Sequence, residues 1–333
     1  MLGGTSFVGR WVVTTAVARG WSVTTFNRGL AGWAHPRAER VIGDRLRAAD
    51  LAQLRSGRWD AVVDTWWGAP RVVRDSAHLL AGRTDRYLYV SSRAVYAAPP
   101  PPGLDETCPT VEASPDADAT GYPQDKRGAE IAVEEVFGER AVLARAGLIL
   151  GPHEDTGRLP YWLLRAERGG QMLAPGPADL PLRYVDARDL AVWLLDAAEH
   201  GVSGPVNLVN PPGHATMRTL LDAAVAATGG HAELVWIDPA AIEAAGIHRW
   251  TELPGWIPPG PEYAGLILTS VVRACATGLC CRPAEQTVAD TWTWLLTIGR
   301  TPTSPPGRPS LGLDPAKERA TLVAWRRLEQ GDA

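Results

Sequence analysis

Tyr122 and Lys126 stand four residues apart in this 333-residue sequence. On a helix that spacing brings both side chains to one face. An ammonium beside a phenol favours phenolate, so Tyr122 becomes a usable proton donor or acceptor near neutral pH. Pro123 is tolerated only in the first turn of such a helix, which places Tyr122 at its start. Upstream, Val90-Ser91-Ser92-Arg93-Ala94-Val95-Tyr96 closes an apolar run, and a hydroxyl at Ser92 can hydrogen-bond a reacting carbonyl. The three residue types together suit proton transfer at an oxygen bound to carbon.

A second grouping opens the chain: Gly3-Gly4-Thr5-Ser6-Phe7-Val8-Gly9. A glycine turn that leads into a helix offers unpaired N–H groups and a partial positive charge to a pyrophosphate. Ser6 stands where the usual dinucleotide fingerprint has its middle glycine. The next β-type run ends at Asn27-Arg28, where the ribose-reading residue of such a unit belongs. An acidic side chain there accepts from a ribose 2′-OH; Arg28 can instead bond a 2′-phosphate. The pair Asn27 and Arg28 therefore favours NADP(H) over NAD(H).

The elements that must carry these residues follow from periodicity. Helical patterns cover 9–19, 48–55, 72–80 and 122–137. Between them lie β-type runs at 21–26, 40–42, 59–64, 86–91 and 141–150. Strands apolar on both faces, alternating with helices, predict an α/β chain: a Rossmann-type doubly wound parallel sheet with a smaller C-terminal substrate-binding lobe. The expected division is a dinucleotide-binding domain at 1–150, to which 183–210 returns, and a lobe made of 151–182 and 211–300. A proline-rich linker at 301–313 and a C-terminal helix at 314–331 complete it. Only Met1-Leu2 precedes Gly3, whereas a central strand runs to about five residues. Either the full first strand begins upstream of this start, or it is truncated.

Composition narrows the partners. Hydrophobic residues make up 45% and charged residues 21%, with a net charge of −4. No global basic field calls for nucleic acid, no apolar stretch is long enough for a membrane span, and no signal-peptide pattern precedes the glycine turn. The expectation is a cytoplasmic monomer or homodimer acting on a small molecule. Four cysteines and seven histidines show no metal spacing, so no metal is expected and the thiols are read as buried or idle. Second-rank residues for substrate contact are His153, Glu106 and the helically spaced Arg158, Tyr161, Trp162 and Arg165.

In the order glycine turn, Ser92, Tyr122-x-x-x-Lys126, the chain resembles an extended short-chain dehydrogenase/reductase of the NAD-dependent epimerase/dehydratase type. Leu2 to Gly9 and Phe26-Asn-Arg-Gly29 are similar to an actinobacterial branch often labelled isoflavone-reductase-like. The resemblance spans about the first 210 residues. It implies that Ser92 polarises the substrate oxygen, that Tyr122 moves the proton, and that Lys126 binds the nicotinamide ribose. It further implies that Asp44 meets the adenine and that the segment from Leu148 to Pro152 borders the nicotinamide. Thr65-Trp66-Trp67-Gly68 replaces a segment of small residues expected beside the cofactor, so Thr65 is a contact and the two rings either narrow the site or pack. The leading function is an NADP(H)-dependent oxidoreductase for a small carbonyl or alcohol. A nucleotide-sugar epimerase or dehydratase with recycled NAD, and a non-catalytic dinucleotide-binding regulator, are the alternatives.

Overall fold

The computed structural model describes residues 1–302 and 311–330. Most of the linker expected at 301–313 lies outside these residues, as does the last residue of the helix expected at 314–331. The chain divides into two compact units. The first joins Met1–Ile149, Tyr184–Val209 and Leu268–Cys281; the second joins Leu150–Arg183, Asn210–Ile267 and the described residues from Arg282 onward.

In the first unit the longer helices and the strands of the main sheet are, in chain order, α1 (Phe7–Ala18), β1 (Thr24–Asn27), β2 (Glu39–Ile42), β3 (Trp59–Asp64), α2 (Pro70–Leu80), β4 (Thr84–Ser92), α3 (Tyr122–Phe137), β5 (Ala141–Ala146), α4 (Ala187–Glu199) and β6 (Gly204–Leu208). β3, β4, β5 and β6 pair in that order, all parallel, and β2 pairs with β1 in the same sense. Leu2 alone stands between the two groups, bridging Phe26 on one side and Asp64 on the other. Its N–H donates to the Val63 carbonyl at 2.9 Å, and the Gly3 N–H donates to Phe26 at 2.9 Å. The central position of the sheet is thus held by one residue, and the glycine turn follows it directly.

Alternation along the strands builds two cores. Leu88 and Val90 of β4 face α1 and α4, with Val12, Ala16, Trp193 and Leu194. Tyr87 and Tyr89 face α2 and α3, with Val73, Ala77, Ala129 and Val133. Burial on both faces is the reason these strands read as continuous apolar runs. The run expected as one strand at 141–150 breaks at Gly147. A Cβ there would lie 2.3 Å from Val209 and 2.8 Å from the Arg93 guanidinium, so the break admits a buried arginine against bare backbone.

The stretch Leu268–Cys281, expected in the lobe, belongs to the first unit. Ser270 N donates to the Leu104 carbonyl at 2.8 Å, Arg93 Nη1 donates to Thr269 at 2.6 Å, and Val271 and Ala274 join the core beneath α4. In the second unit, strands Gly170–Pro175 and Ala232–Ile237 pair in parallel. Helices Arg158–Glu167, Met217–Ala227 and Ala284–Thr297 pack together, and helix Pro315–Gln330 is fixed by buried Glu318, which accepts from Arg165 Nε and from Leu173 N. Among the described residues no helix is long and apolar enough to cross a membrane.

Candidate active site

The residues suited to chemistry in the first unit sit at the carboxyl ends of its parallel strands, where open α/β sheets bind ligands. Helix α3 begins where the sequence places it. Gly121 is its extended N-cap, Tyr122 is the first helical residue, and Pro123 falls in the first turn, where a missing N–H costs nothing. Tyr122 is 49% exposed. One turn on, Lys126 is buried. Its Nζ donates to the Trp66 carbonyl at 2.6 Å and to the Val90 carbonyl at 2.7 Å, and lies 4.7 Å from the centre of the Tyr89 ring. Burial lowers the amine from its ordinary 10.5 to about 7, against partial support from the carboxylates of Asp64 and Glu130. Ser92, two residues beyond Val90, ends β4 half-buried, its Oγ accepting from Ala94 N at 3.1 Å.

Two buried ion pairs flank Lys126. Asp64, fully buried at the end of β3, takes a bidentate pair from Arg45 at 2.6 and 2.8 Å, and accepts from the Tyr87 hydroxyl at 2.7 Å and from Trp66 N at 2.9 Å. Arg45 also reaches Ser76 Oγ at 2.8 Å. Burial alone would raise the Asp64 carboxyl and lower the Arg45 guanidinium; the contact between them outweighs it, so Asp64 is held below and Arg45 above the ordinary value. On the other side Glu130, one turn past Lys126 on α3, takes Nε and Nη2 of Arg145 at 2.9 Å each. Arg145 packs on Tyr96, whose hydroxyl donates to Asn207 at 2.8 Å.

At the glycine turn Gly3 and Gly4 take φ of +100° and +88°, which L side chains rarely adopt. A Cβ at Gly9 would lie 2.8 Å from Gly4 N, so turn and helix pack without space for a side chain. Ser6 is the extended N-cap of α1, and its hydroxyl makes no capping bond, so the first-turn N–H groups have no side-chain cap. Asn27 is committed to the turn itself: its amide donates to the Gly3 carbonyl at 3.3 Å, and its oxygen accepts from Gly29 N at 2.9 Å. Arg28 is exposed at the end of β1. Thr65 Oγ1 lies 3.1 Å from where a Gly3 Cβ would stand, so it borders the turn. Asp44 accepts from Leu46 N at 3.0 Å in a local turn, and Leu148 is buried.

Of the two tryptophans, Trp66 packs under the Arg45 guanidinium and lends its carbonyl to Lys126 and to the Tyr89 hydroxyl, whereas Trp67 is 57% exposed. Glu106, a second-rank residue, turns to Asn207 N at 2.8 Å and closes the Arg145 network. In the second unit His153 meets the Trp294 ring edge-on, Trp162 donates to the Pro254 carbonyl at 2.8 Å, and Arg165 holds Glu318. Cys275 and Cys280 are exposed rather than buried, and all four thiols are free. Among the described residues no cluster of three metal-ligating side chains occurs.

A parallel sheet with a glycine turn leading from its central position into α1 is thus a Rossmann-type fold. The sequence pattern of the NAD dependent epimerase/dehydratase family matches residues 1–210, and the chain belongs to that family. No curated protein matches it by sequence. Similar solved structures include the UDP-glucose 4-epimerase of Thermus thermophilus in complex with NAD, with 18% identity, a TM-score of 0.64 and coverage of 89% of this chain and 97% of that one. Bordetella bronchiseptica WbmH in complex with NAD+ has 17% identity, a TM-score of 0.64 and coverage of 90% and 97%. Bacillus cereus UDP-glucuronic acid 4-epimerase in complex with NAD has 14% identity, a TM-score of 0.61 and coverage of 89% and 98%.

Proposed function

We propose that the protein is an NADP(H)-dependent oxidoreductase for a small carbonyl or alcohol substrate, with Ser92, Tyr122 and Lys126 as its reactive set. The observation that carries this reading is the ordering of α3: a buried lysine fixed on two carbonyls, with an exposed tyrosine one turn earlier. The turn fits the cofactor, since its glycines leave bare backbone and its serine leaves the helix start uncapped. When bound, a nicotinamide supplies or accepts the hydride.

The chain's own residues do the remainder. Gly3 to Gly9 hold the pyrophosphate on backbone N–H groups, and Thr65 and Leu148 border the cofactor. Asp44 meets the adenine and Arg28 the 2′-phosphate, with Asn27 shaping the turn between them. Lys126 donates to the nicotinamide ribose and holds positive charge beside Tyr122. Ser92 donates to the substrate oxygen. Tyr122 gives its hydroxyl proton to that oxygen in reduction and takes it back in oxidation. The reading places the protein in the cytoplasm.

The sugar-nucleotide epimerases among the structural neighbours favour one alternative, epimerisation with a retained NAD. Cofactor turnover separates the two. Net NADPH oxidation with a panel of aldehydes and ketones, reduced about 10²- to 10⁴-fold in Tyr122→Phe, supports reduction. Conversion of a UDP-sugar without net change in cofactor supports the alternative, and dinucleotide binding with no turnover of either panel rejects both.

A further inference from the structure

Arg10 follows Gly9 in the first turn of α1, and its guanidinium lies 4.4 Å from the centre of the Trp33 ring. Trp33 belongs to the loop between β1 and β2, the loop that Arg28 opens. The loop is anchored on α1: Arg37 Nη2 donates to the Val17 carbonyl at 3.4 Å, and Trp33 meets His35 edge-on at 6.3 Å. The stacking partner of Arg10 therefore lies in the loop that carries Arg28.

Arg10 is held differently from Arg45 and Arg145, the arginines beside Lys126. Arg45 and Arg145 each hold a carboxylate. Arg10 is half-buried, burial weakens its hold on its proton, and among the described residues no acid pairs with it. A partly desolvated cation without an anion is costly unless a ligand brings one. A phosphate monoester carries close to two negative charges, which one exposed and screened arginine satisfies poorly.

We propose that Arg10, braced on Trp33, is the second cation for the 2′-phosphate of NADP(H), acting with Arg28. The proposal rests on the NADP(H) reading above and adds a residue that decides between the two dinucleotides.

Titration calorimetry on the full chain tests it, with NADPH, NADH, 2′,5′-ADP and 5′-AMP as probes. Arg10→Met should raise the Kd of NADPH and 2′,5′-ADP about tenfold or more, with NADH and 5′-AMP changed by less than about twofold. Arg10→Lys should recover part of the loss, and an unchanged melting temperature shows that the variant is folded. Equal weakening of NADH and NADPH would put Arg10 on a group they share and overturn the proposal. Unchanged NADPH binding would overturn it as well; if Arg28→Ala still weakens NADPH, the NADP(H) reading stands without Arg10. A wild-type protein that binds NADH as tightly as NADPH overturns that reading and the proposal together.

Discussion

Lys126 and the arginine pairs beside it are buried in the same way and held in different ways. Arg45 and Arg145 each face a carboxylate in two-point contact, at 2.6–2.9 Å. Lys126 faces two backbone carbonyls and the face of a tyrosine ring. Carboxylate partners return what burial takes from a cation, whereas carbonyls return only part of it. The arginines are consequently fixed charges, and the lysine is brought to about 7, where its charge responds to its surroundings. A phenol, a ribose hydroxyl or a bound anion can shift it, as the role proposed for it beside Tyr122 requires.

The largest expected effect comes from breaking a fixed pair. Asp64→Asn leaves Arg45 charged and unbalanced in the core, and should lower unfolding free energy by about 3–5 kcal/mol in urea titration. Adding Arg45→Met to that variant should recover a substantial part. A loss below about 1 kcal/mol, within the range of an exposed pair, would break the comparison.

Lys126→Met should behave in the opposite sense. It removes a charge that burial disfavours but orphans two carbonyls, so stability at pH 7 should change by no more than about 2 kcal/mol. Turnover should nevertheless fall about 10²-fold or more. A variant that unfolds while retaining turnover per folded molecule would make Lys126 structural.

A smaller effect is the pH dependence of stability. The folded value of Lys126 lies below its ordinary value, so between about 7 and 10.5 the unfolded chain binds the proton that the folded chain has released. Stability therefore gains from this group as pH rises through that window, at most about 1.4 kcal/mol per pH unit. The difference between wild type and Lys126→Met should show that slope, and a flat difference would mean an ordinary lysine.

Much of this arrangement could be read from residues alone, for local reasons. The span 122–137 emerges unchanged as α3, because Gly121, Pro123 and Gly138 punctuate both ends. The parallel sheet follows from strands buried on both faces. The partners of Lys126 could not be read in advance, since the Trp66 and Val90 carbonyls are groups that any residue offers, and only the fold brings them to one point. Arg45 and Asp64 lie 19 positions apart with no periodicity between them. Glu130 was within reach, one helical turn past Lys126. The return of Leu268–Cys281 to the first unit depends on contacts with Leu104 and Arg93, which leave no local pattern.

The chain has only two lysines, Lys126 and Lys317, and Lys317 pairs with Glu252 in the second unit. With ¹³C-labelled lysine, an NMR titration of the unliganded protein therefore resolves Lys126 against a single internal reference, and Lys126→Met confirms the assignment. One εCH₂ signal should titrate near pH 7, in keeping with a buried amine on neutral partners. A Lys126 signal that stays protonated up to about pH 10, as in a solvated lysine, would contradict the account.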